Sequence, residues 1–304
     1  MAFLNAEQLS RKYVTLTALD SFSLSVERGE IVAMVGPDGA GKTTAIRIMC
    51  HLLTPDAGSV VINGRDIAID HEQIKPLLGY MPQQFSLYPD LSVEENLTFY
   101  AGLYGLTGAA YREKRDQLYE FSNLGPFAGR RAQALSGGMK QKLALSCALI
   151  HKPELLILDE PTTGVDPVSR RQFWEILLQL KQQGVAIVVS TPYMDEVARC
   201  DRAAFVFGGR KLSEGTPSEL AASFSGKIYF LNREPGPGLV AQLNAVDGLA
   251  AQRFGAGLHL YLGADDSLER FADRLTQLGI TVDELSSLPP GLEDRFIQLM
   301  ETTR

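Results

Sequence analysis

Residues 36–43, with the sequence Gly-Pro-Asp-Gly-Ala-Gly-Lys-Thr, constrain the fold more than any other segment of this chain. They fit the pattern G-x-x-x-x-G-K-[ST], which binds phosphate when a strand precedes it and a helix follows it. Here an apolar run over residues 31–35 precedes the loop, and an amphipathic stretch over residues 41–51 follows it. The loop's backbone N–H groups and the helix N-terminus both attract phosphate oxygens. We therefore expect an α/β protein with a phosphate-binding loop.

Two side chains of this loop have specific predicted roles. Lys42 can reach the β- and γ-phosphates of a nucleotide, and the hydroxyl of Thr43 can coordinate Mg²⁺. A glycine-rich turn that arose by chance is the alternative, and the flanking strand and helix argue against it. The residues expected to contact the nucleotide are Gly36, Pro37, Asp38, Gly39, Ala40, Gly41, Lys42, Thr43 and Thr44.

The first two thirds of the chain alternate short Val- and Ile-rich runs with amphipathic stretches, which is typical of a largely parallel sheet covered by helices. Further elements are expected as buried strands over residues 155–158 and 185–190, a helix over residues 167–183, and a hairpin over residues 203–214. Between the strands at 31–35 and 155–158 lies a helical insert, over about residues 86–150. Its first helix is predicted to start at Ser92, with Glu95 completing a capping box.

A different pattern begins near residue 225 and predicts a small α+β domain. Its expected strands cover residues 227–231, 251–254, 258–262 and 281–285, and its expected helices cover residues 239–244, 267–278 and 292–301. We therefore predict two domains, residues 1–222 and 226–304, which suits a chain of 304 residues.

Composition excludes several classes of protein. The chain has 29 Lys and Arg against 36 Asp and Glu, which argues against a nucleic-acid binder that works by bulk electrostatics but leaves room for a local basic pocket for a nucleotide. Its longest apolar runs are far shorter than the roughly 20 residues of a membrane-spanning helix. The N-terminus has no secretion-signal pattern, and three scattered cysteines suit a reducing cytoplasm. The four histidines do not have the paired spacing of zinc ligands, so we do not expect a structural zinc site.

Two acidic residues follow the buried run at 155–158. Asp159 ends this strand, where a carboxylate without a partner would be costly, and a metal ion next to the phosphates would supply that partner. Glu160 is then placed to polarise an attacking water as a general base. The alternative is an acidic strand end that faces solvent.

A second anion site is predicted at Leu135-Ser136-Gly137-Gly138-Met139, just before a helix. The Ser136 hydroxyl and the N–H groups of Gly137 and Gly138 can bind phosphate at a helix N-terminus. One chain needs only one phosphate-binding loop, so a second one suggests that two chains share nucleotides between them. A serine that merely caps its helix is the alternative interpretation.

These motifs, in this order, resemble the ATP-binding subunit of an ABC transporter over about residues 3–220. The resemblance implies a P-loop ATPase fold with a helical subdomain, in which residues 36–43 are Walker A and residues 135–139 the signature. It makes Asp159 and Glu160 the end of Walker B and residues 164–166 the D-loop. Gln83 matches the Q-loop glutamine, with Gln84 as the neighbouring register. Tyr13 matches the aromatic residue that stacks on adenine, although packing alone also explains a tyrosine in an early strand.

The resemblance also implies cofactors and partners. Two ATP molecules with Mg²⁺ would lie between two ATP-binding subunits, identical or different. In each site one chain would supply Lys42, Thr43, Gln83 and Asp159, with Mg²⁺ held by Thr43, Gln83 and Asp159, and the opposing chain would supply Ser136, Gly137 and Gly138. Separate transmembrane permease subunits would hold the pair at the cytoplasmic face of the membrane.

Residues 226–304 resemble the small C-terminal domain of drug and antibiotic exporters of the daunorubicin-resistance type. The segment at 288–296, Leu-Pro-Pro-Gly-Leu-Glu-Asp-Arg-Phe, carries this resemblance. A generic α+β regulatory or dimerising domain is the alternative, and the direction of transport depends on this resemblance.

Three positions depart from the family pattern. Asp38 stands where the family usually has Asn, and Met139 replaces the usual Gln of the signature. Pro192 stands where the family has a switch histidine that bonds the γ-phosphate, and proline offers neither a side-chain donor nor an acceptor. We therefore expect ATP hydrolysis to be weakened.

The alternative function is that of a soluble regulatory ABC ATPase that is not coupled to transport. An ABC ATPase that acts in translation or DNA repair is disfavoured by the net negative charge and by the single ATPase unit.

Overall fold

The computed structural model describes residues 2–84 and 86–303 and divides into two compact units, Met1–Pro217 and Ser218–Arg304. The predicted domain limits, residues 1–222 and 226–304, lie a few residues further along the chain. The short helix Pro217–Ala222 falls at this boundary. Each unit has its own buried apolar core.

The first unit is built on a six-stranded sheet. Its strands, in sheet order, are β10 (Arg210–Gly215), β9 (Arg202–Phe207), β3 (Ile31–Val35), β8 (Ala186–Thr191), β7 (Leu155–Asp159) and β6 (Leu78–Met81). All neighbours pair in parallel except the β9–β10 hairpin, which is antiparallel. Every residue of β3, β7 and β8 is buried, as expected for central parallel strands. The predicted α/β fold is confirmed.

A second sheet in this unit was missing from the sequence-based prediction. It is antiparallel and contains β1 (Leu4–Tyr13), β2 (Leu16–Val26), β4 (Ala57–Ile62) and β5 (Arg65–Asp66), in the order β2-β1-β4-β5. Register shifts interrupt the β1–β2 pairing at three places, so the alternation of buried and exposed residues is broken. That break hides the period of two by which such strands are usually found.

Helices cover the six-stranded sheet and form the insert. They are α1 (Lys42–Met49), α2 (Ile67–Ile74), α3 (Val93–Leu103), α4 (Gly108–Ser122), α5 (Gly137–Leu149), α6 (Pro167–Gln182) and α7 (Met194–Val197). The capping box of α3 forms as predicted: Glu95 N–H donates to Ser92 Oγ (3.2 Å), and Ser92 N–H donates to Glu95 Oε2 (2.7 Å). Asp166 caps α6 by accepting from the N–H groups of Val168 and Ser169. The described helices include none that is both long and apolar enough to cross a membrane.

The second unit is a four-stranded antiparallel sheet with helices. Its strands are β11 (Lys227–Leu231), β12 (Leu249–Phe254), β13 (Gly257–Leu262) and β14 (Leu285–Leu288), in the sheet order β12-β13-β11-β14. Its helices are α9 (Leu239–Asn244), α10 (Leu268–Gln277) and α11 (Leu292–Thr303). The boundary helix Pro217–Ala222 is α8. The strand predicted over residues 281–285 is wrong. Glu284 accepts from Thr281 N–H (2.8 Å), and this capping box winds Val282–Glu284 into a 3₁₀ turn. The strand therefore starts at Leu285.

Candidate functional site

The glycine loop after β3 has the geometry that a phosphate site needs. Val35 ends the strand, and α1 starts at Lys42 with Gly41 as its N-cap at φ 107°. A side chain at Gly41 would place its Cβ 2.5 Å from Ala18 O, and one at Gly36 would place it 2.1 Å from Val206 O. Glycine is therefore required at both positions, and the loop presents backbone rather than side chains to a ligand.

Lys42 lies in the centre of this loop and is only 4% exposed. Its Nζ donates to the carbonyls of Gly36 (2.8 Å) and Pro37 (3.1 Å) and lies 3.1 Å from Glu160 Oε1. A buried ammonium group with carbonyl and carboxylate partners is pre-positioned for phosphate oxygens, which offer the same kind of acceptor.

Glu160 is held from several sides directly after β7. Its Oε2 accepts from Gln83 Nε2 (3.0 Å) and from Thr163 Oγ1 (3.4 Å), and its backbone N–H donates to Ser190 Oγ (2.9 Å). Its φ is 47°, a left-handed conformation that non-glycine residues rarely adopt. Such strain persists only where the surroundings fix it, and it concentrates at functional sites.

Asp159 ends β7 and is 1% exposed. Its Oδ1 accepts from Ser190 Oγ (2.7 Å), while its Oδ2 is buried and has no hydrogen-bond partner among the described residues. An unpaired carboxylate oxygen at this depth is costly unless a cation completes it. Asp159 therefore offers an oxygen to a hard cation such as Mg²⁺, and Thr43, the second residue of α1, offers a hydroxyl of the kind that such cations also bind. The described residues contain no cluster of three or more His, Cys, Asp and Glu that would hold a metal ion on its own.

A cavity of about 290 Å³ opens above the loop. Its described lining consists of Tyr13, Leu16, Ala18, Asp38, Gly39, Ala40, Gly41, Lys42, Thr43, Thr44, Gln83 and Glu160. Tyr13 is 40% exposed at the end of β1, so its ring is accessible to a planar ligand. Of the two adjacent glutamines, the described lining includes Gln83 and not Gln84.

The remaining predicted residues lie outside the described lining of this cavity. Ser136 is exposed and caps α5, accepting from Met139 N–H at 3.3 Å, and Gly137 is exposed beside it. Gly138 is buried against α6, where a Cβ would lie 2.4 Å from the side chain of Ser169. Pro192 is exposed just after β8. The structure of one chain thus leaves the serine–glycine turn at a surface, with its N–H groups at the start of a helix.

Sequence analysis missed the residues that support Asp159 and Glu160. Ser190 bonds to both of them, and Thr163 bonds to the Glu160 carboxylate. Ser190 is distant from Asp159 and Glu160 in the sequence, and Thr163 lies close to them but is too common a residue to form a motif. Only the adjacency of β7 and β8 in the sheet brings Ser190 to this site.

Known proteins resemble the chain in both sequence and fold. A family model described as ABC transporter matches residues 19–163. The linearmycin resistance ATP-binding protein LnrL of Bacillus subtilis is 36% identical, the match covering 73% of this chain and 72% of LnrL. The Nod factor export ATP-binding protein I of Ralstonia nicotianae is 38% identical, with 71% and 68% covered.

A longer relative matches over only part of its length. The probable multidrug ABC transporter ATP-binding protein YbhF of Escherichia coli is 42% identical over 72% of this chain, and this match spans 38% of YbhF. Among solved structures, an ATP-binding subunit of an ABC transporter aligns with a TM-score of 0.67 at 33% identity, covering 73% of this chain and 93% of that one. A dimeric ABC transporter cassette, MJ0796, aligns with a TM-score of 0.64 at 25% identity, with 70% and 98% covered. Together with the glycine loop and its cavity, these similarities show that the chain belongs to the ATP-binding proteins of the ABC transporter family, whose cassette is a P-loop ATPase.

Proposed function

We propose that this chain is the ATP-binding subunit of an exporter, which binds and hydrolyses ATP to drive transport through separate membrane subunits. The observation that carries this proposal is the pairing of the buried Lys42 cation with Glu160 in one cavity, directly after Asp159, whose buried Oδ2 has no partner among the described residues. The names of the multidrug, linearmycin-resistance and Nod factor export relatives support the export direction.

The proposed mechanism assigns a task to each group. The triphosphate would accept from the N–H groups of the glycine loop and would take the place of Glu160 as the anionic partner of Lys42. Asp159 and the hydroxyl of Thr43, with Gln83 close by, would hold Mg²⁺, which neutralises phosphate charge when bound. Glu160, released from Lys42, would then accept a proton from the attacking water. Tyr13 would contact the adenine ring.

A second ATP-binding subunit would complete each site. The exposed turn at Ser136 and Gly137 starts helix α5, so its N–H groups can bind a γ-phosphate presented by a facing chain. The solved structure of the MJ0796 cassette is described as dimeric, which supports a pair of such subunits. Transmembrane permease subunits would hold the pair at the cytoplasmic face of the membrane, and nucleic acid is not expected as a partner.

Pro192 supports a weakened site and keeps the alternative of a regulatory ABC ATPase uncoupled from transport. It is exposed at the end of β8 and has no group that could bond a γ-phosphate. Loss of one transition-state contact costs about 10²–10³ in rate, so we propose tight ATP binding with slow hydrolysis.

Equilibrium binding of Mg-ATP tests this function. The intact chain should bind, and Lys42→Ala should weaken binding at least about tenfold because the phosphates lose their buried cation. Lys75→Ala is the control, since Lys75 is an exposed lysine that pairs with Glu72. Equal affinity of the Lys42→Ala protein and the intact chain would overturn the proposal. ATP turnover measured with and without a membrane partner separates the exporter from the uncoupled regulatory alternative.

A further inference from the structure

Glu196 is a buried carboxylate to which sequence analysis gave no role. It lies in α7 and is 1% exposed. Its two oxygens accept from two different threonine hydroxyls: Oε1 from Thr162 Oγ1 at 2.6 Å and Oε2 from Thr191 Oγ1 at 2.5 Å. Both hydroxyls are themselves buried, so each bond is made away from water and constrains its partner strongly.

The two threonines belong to the segments that carry the site. Thr162 lies two residues after Glu160, in the loop that follows β7. Thr191 ends β8 directly after Ser190, which bonds to both Asp159 and Glu160, and directly before Pro192. Glu196 therefore joins the loop after β7 to the end of β8, next to Pro192.

A third segment reaches the same carboxylate through Arg170 of α6. Arg170 Nε lies 3.6 Å from Glu196 Oε1, and its Nη2 donates to Asp195 Oδ2 at 2.5 Å. Its guanidinium also lies 4.6 Å from the centre of the Tyr193 ring. Because α6 starts directly after residues 164–166, this contact connects the start of α6 to the segment that follows β8.

The contacts of Glu196 can stabilise the strained backbone of Glu160. A residue with φ 47° needs neighbours that fix the backbone, and Thr162 is the point at which the following loop is tied to buried structure. If that tie is lost, the loop can relax and move the Glu160 carboxylate away from Lys42 and Gln83. A displacement of about 1 Å at a reacting group can cost up to about a hundredfold in rate.

We propose that Glu196 is a positioning residue that holds the Glu160 loop against the end of β8 through Thr162 and Thr191. This inference rests on the proposed ATPase function and deepens it. It gives the segment around Pro192 a role that needs no imidazole: the strand end fixes the catalytic loop through Glu196.

The test compares Thr162→Val, which removes the hydroxyl, with Thr162→Ser, which keeps it. Ser122→Ala is the control, because Ser122 is also buried and its hydroxyl donates to a backbone carbonyl, that of Leu118, within α4. Two quantities are measured on the full chain: amide hydrogen exchange of peptides that cover residues 160–166, and kcat for Mg-ATP together with its equilibrium Kd.

Positioning predicts faster exchange at residues 160–166 in Thr162→Val and a kcat about tenfold lower, with Kd within twofold of the unaltered chain. Thr162→Ser should restore both, and Ser122→Ala should change neither. Unchanged exchange would overturn the inference, and so would faster exchange with unchanged kcat, since the tie would then be purely structural. A chain that binds ATP without measurable turnover would contradict the hydrolytic part of the proposed function, whereas unchanged exchange in a chain that does turn over ATP would overturn this inference alone.

Discussion

Lys42 Nζ lies 3.1 Å from Glu160 Oε1, so the cation of the phosphate loop and the carboxylate after β7 are paired with each other in this structure. Both side chains are almost fully buried. An ion pair of this kind is strongly coupled, because removing one partner leaves the other as an uncompensated charge. We propose that a triphosphate bound to Lys42 competes with Glu160 for its ammonium group, which would link nucleotide binding to the release of the proposed general base.

Glu160→Gln tests this competition. A glutamine has no charge to hold Lys42, so we expect ATP to bind several-fold more tightly, while turnover falls by about 10²–10⁴ because the general base is lost. Nucleotide titration and a steady-state assay measure the two effects. Glu175→Gln is the matched control, since Glu175 is exposed and lies 3.9 Å from Arg171. Weaker ATP binding by Glu160→Gln would contradict the competition between carboxylate and phosphate.

Pro192→His tests whether the missing imidazole limits hydrolysis. We expect turnover to rise, by up to about 10²–10³ if the new ring reaches the γ-phosphate, with little change in ATP affinity. Pro192→Ala separates the gain of an imidazole from the mere loss of the proline ring. If the alanine and histidine variants had the same kcat, the imidazole ring would have no effect on hydrolysis, and the weakened-site proposal would fail.

The parts of the fold that sequence analysis predicted are those with local signals. The loop at 36–43, the buried runs of β3, β7 and β8 and the capping box at Ser92 each depend on a few adjacent residues. The antiparallel sheet that contains β1 and β2 has no such local signal, because register shifts interrupt the alternation of buried and exposed residues in these strands. The strand predicted at 281–285 was wrong because the Thr281 capping box competes with extended backbone.

The candidate site was predictable only where its residues form a motif. Lys42 and Asp159 belong to recognisable patterns, whereas Ser190 contacts Asp159 from the neighbouring strand and Glu196 contacts the loop after β7 from helix α7. Glu196 reaches Thr162 from 34 positions away in the sequence, and no local pattern specifies that pairing. Their roles depend on which strands are neighbours, and that is a property of the tertiary structure.

His151 should make the first unit sensitive to acid. Its ring stacks on the ring of Tyr104, with the two centroids 3.8 Å apart. Burial lowers the pKa of His151, and the nearby charge of Lys114 lowers it further, whereas a hydrogen bond to Leu78 O acts in the opposite direction. Because the folded-state pKa is lower than the unfolded value of 6.5, the unfolded chain binds more protons as the pH falls through that value. The contribution of His151 to the free energy of unfolding is therefore fully present above pH 6.5 and is lost as the pH falls below that value.

The measurement for His151 is urea denaturation at about pH 7.5 and about pH 5.5, above and below that unfolded-state value. His151→Gln should lose less unfolding free energy between the two pH values than the unaltered chain does. His51→Asn is the control, because His51 is exposed and asparagine tolerates its φ of 56°. Equal acid sensitivity of His151→Gln and the unaltered chain would exclude His151 as the cause.

The second unit has a buried polar centre whose loss should affect that unit alone. Asp294 is 4% exposed and accepts from Tyr261 Oη (2.9 Å) and from Gly291 N–H (2.8 Å), while His259 Nδ1 lies 2.8 Å from it. Burial and this carboxylate together raise the pKa of Tyr261 above its ordinary value, so the phenol stays protonated and donates.

Asp294→Ala should destabilise the second unit by about 2–4 kcal/mol, because it removes the hydrogen-bond partner of the buried His259 ring and of the half-buried Tyr261 hydroxyl and Gly291 N–H. Hydrogen exchange should increase throughout residues 218–304, whereas the Kd for ATP, which depends on the first unit, should stay within twofold. Asp283→Ala removes an exposed carboxylate of the same unit and should change neither quantity. A loss of ATP binding by a folded Asp294→Ala protein would show that the two units are energetically coupled, and the expectation that Asp294 affects the second unit alone would then be wrong.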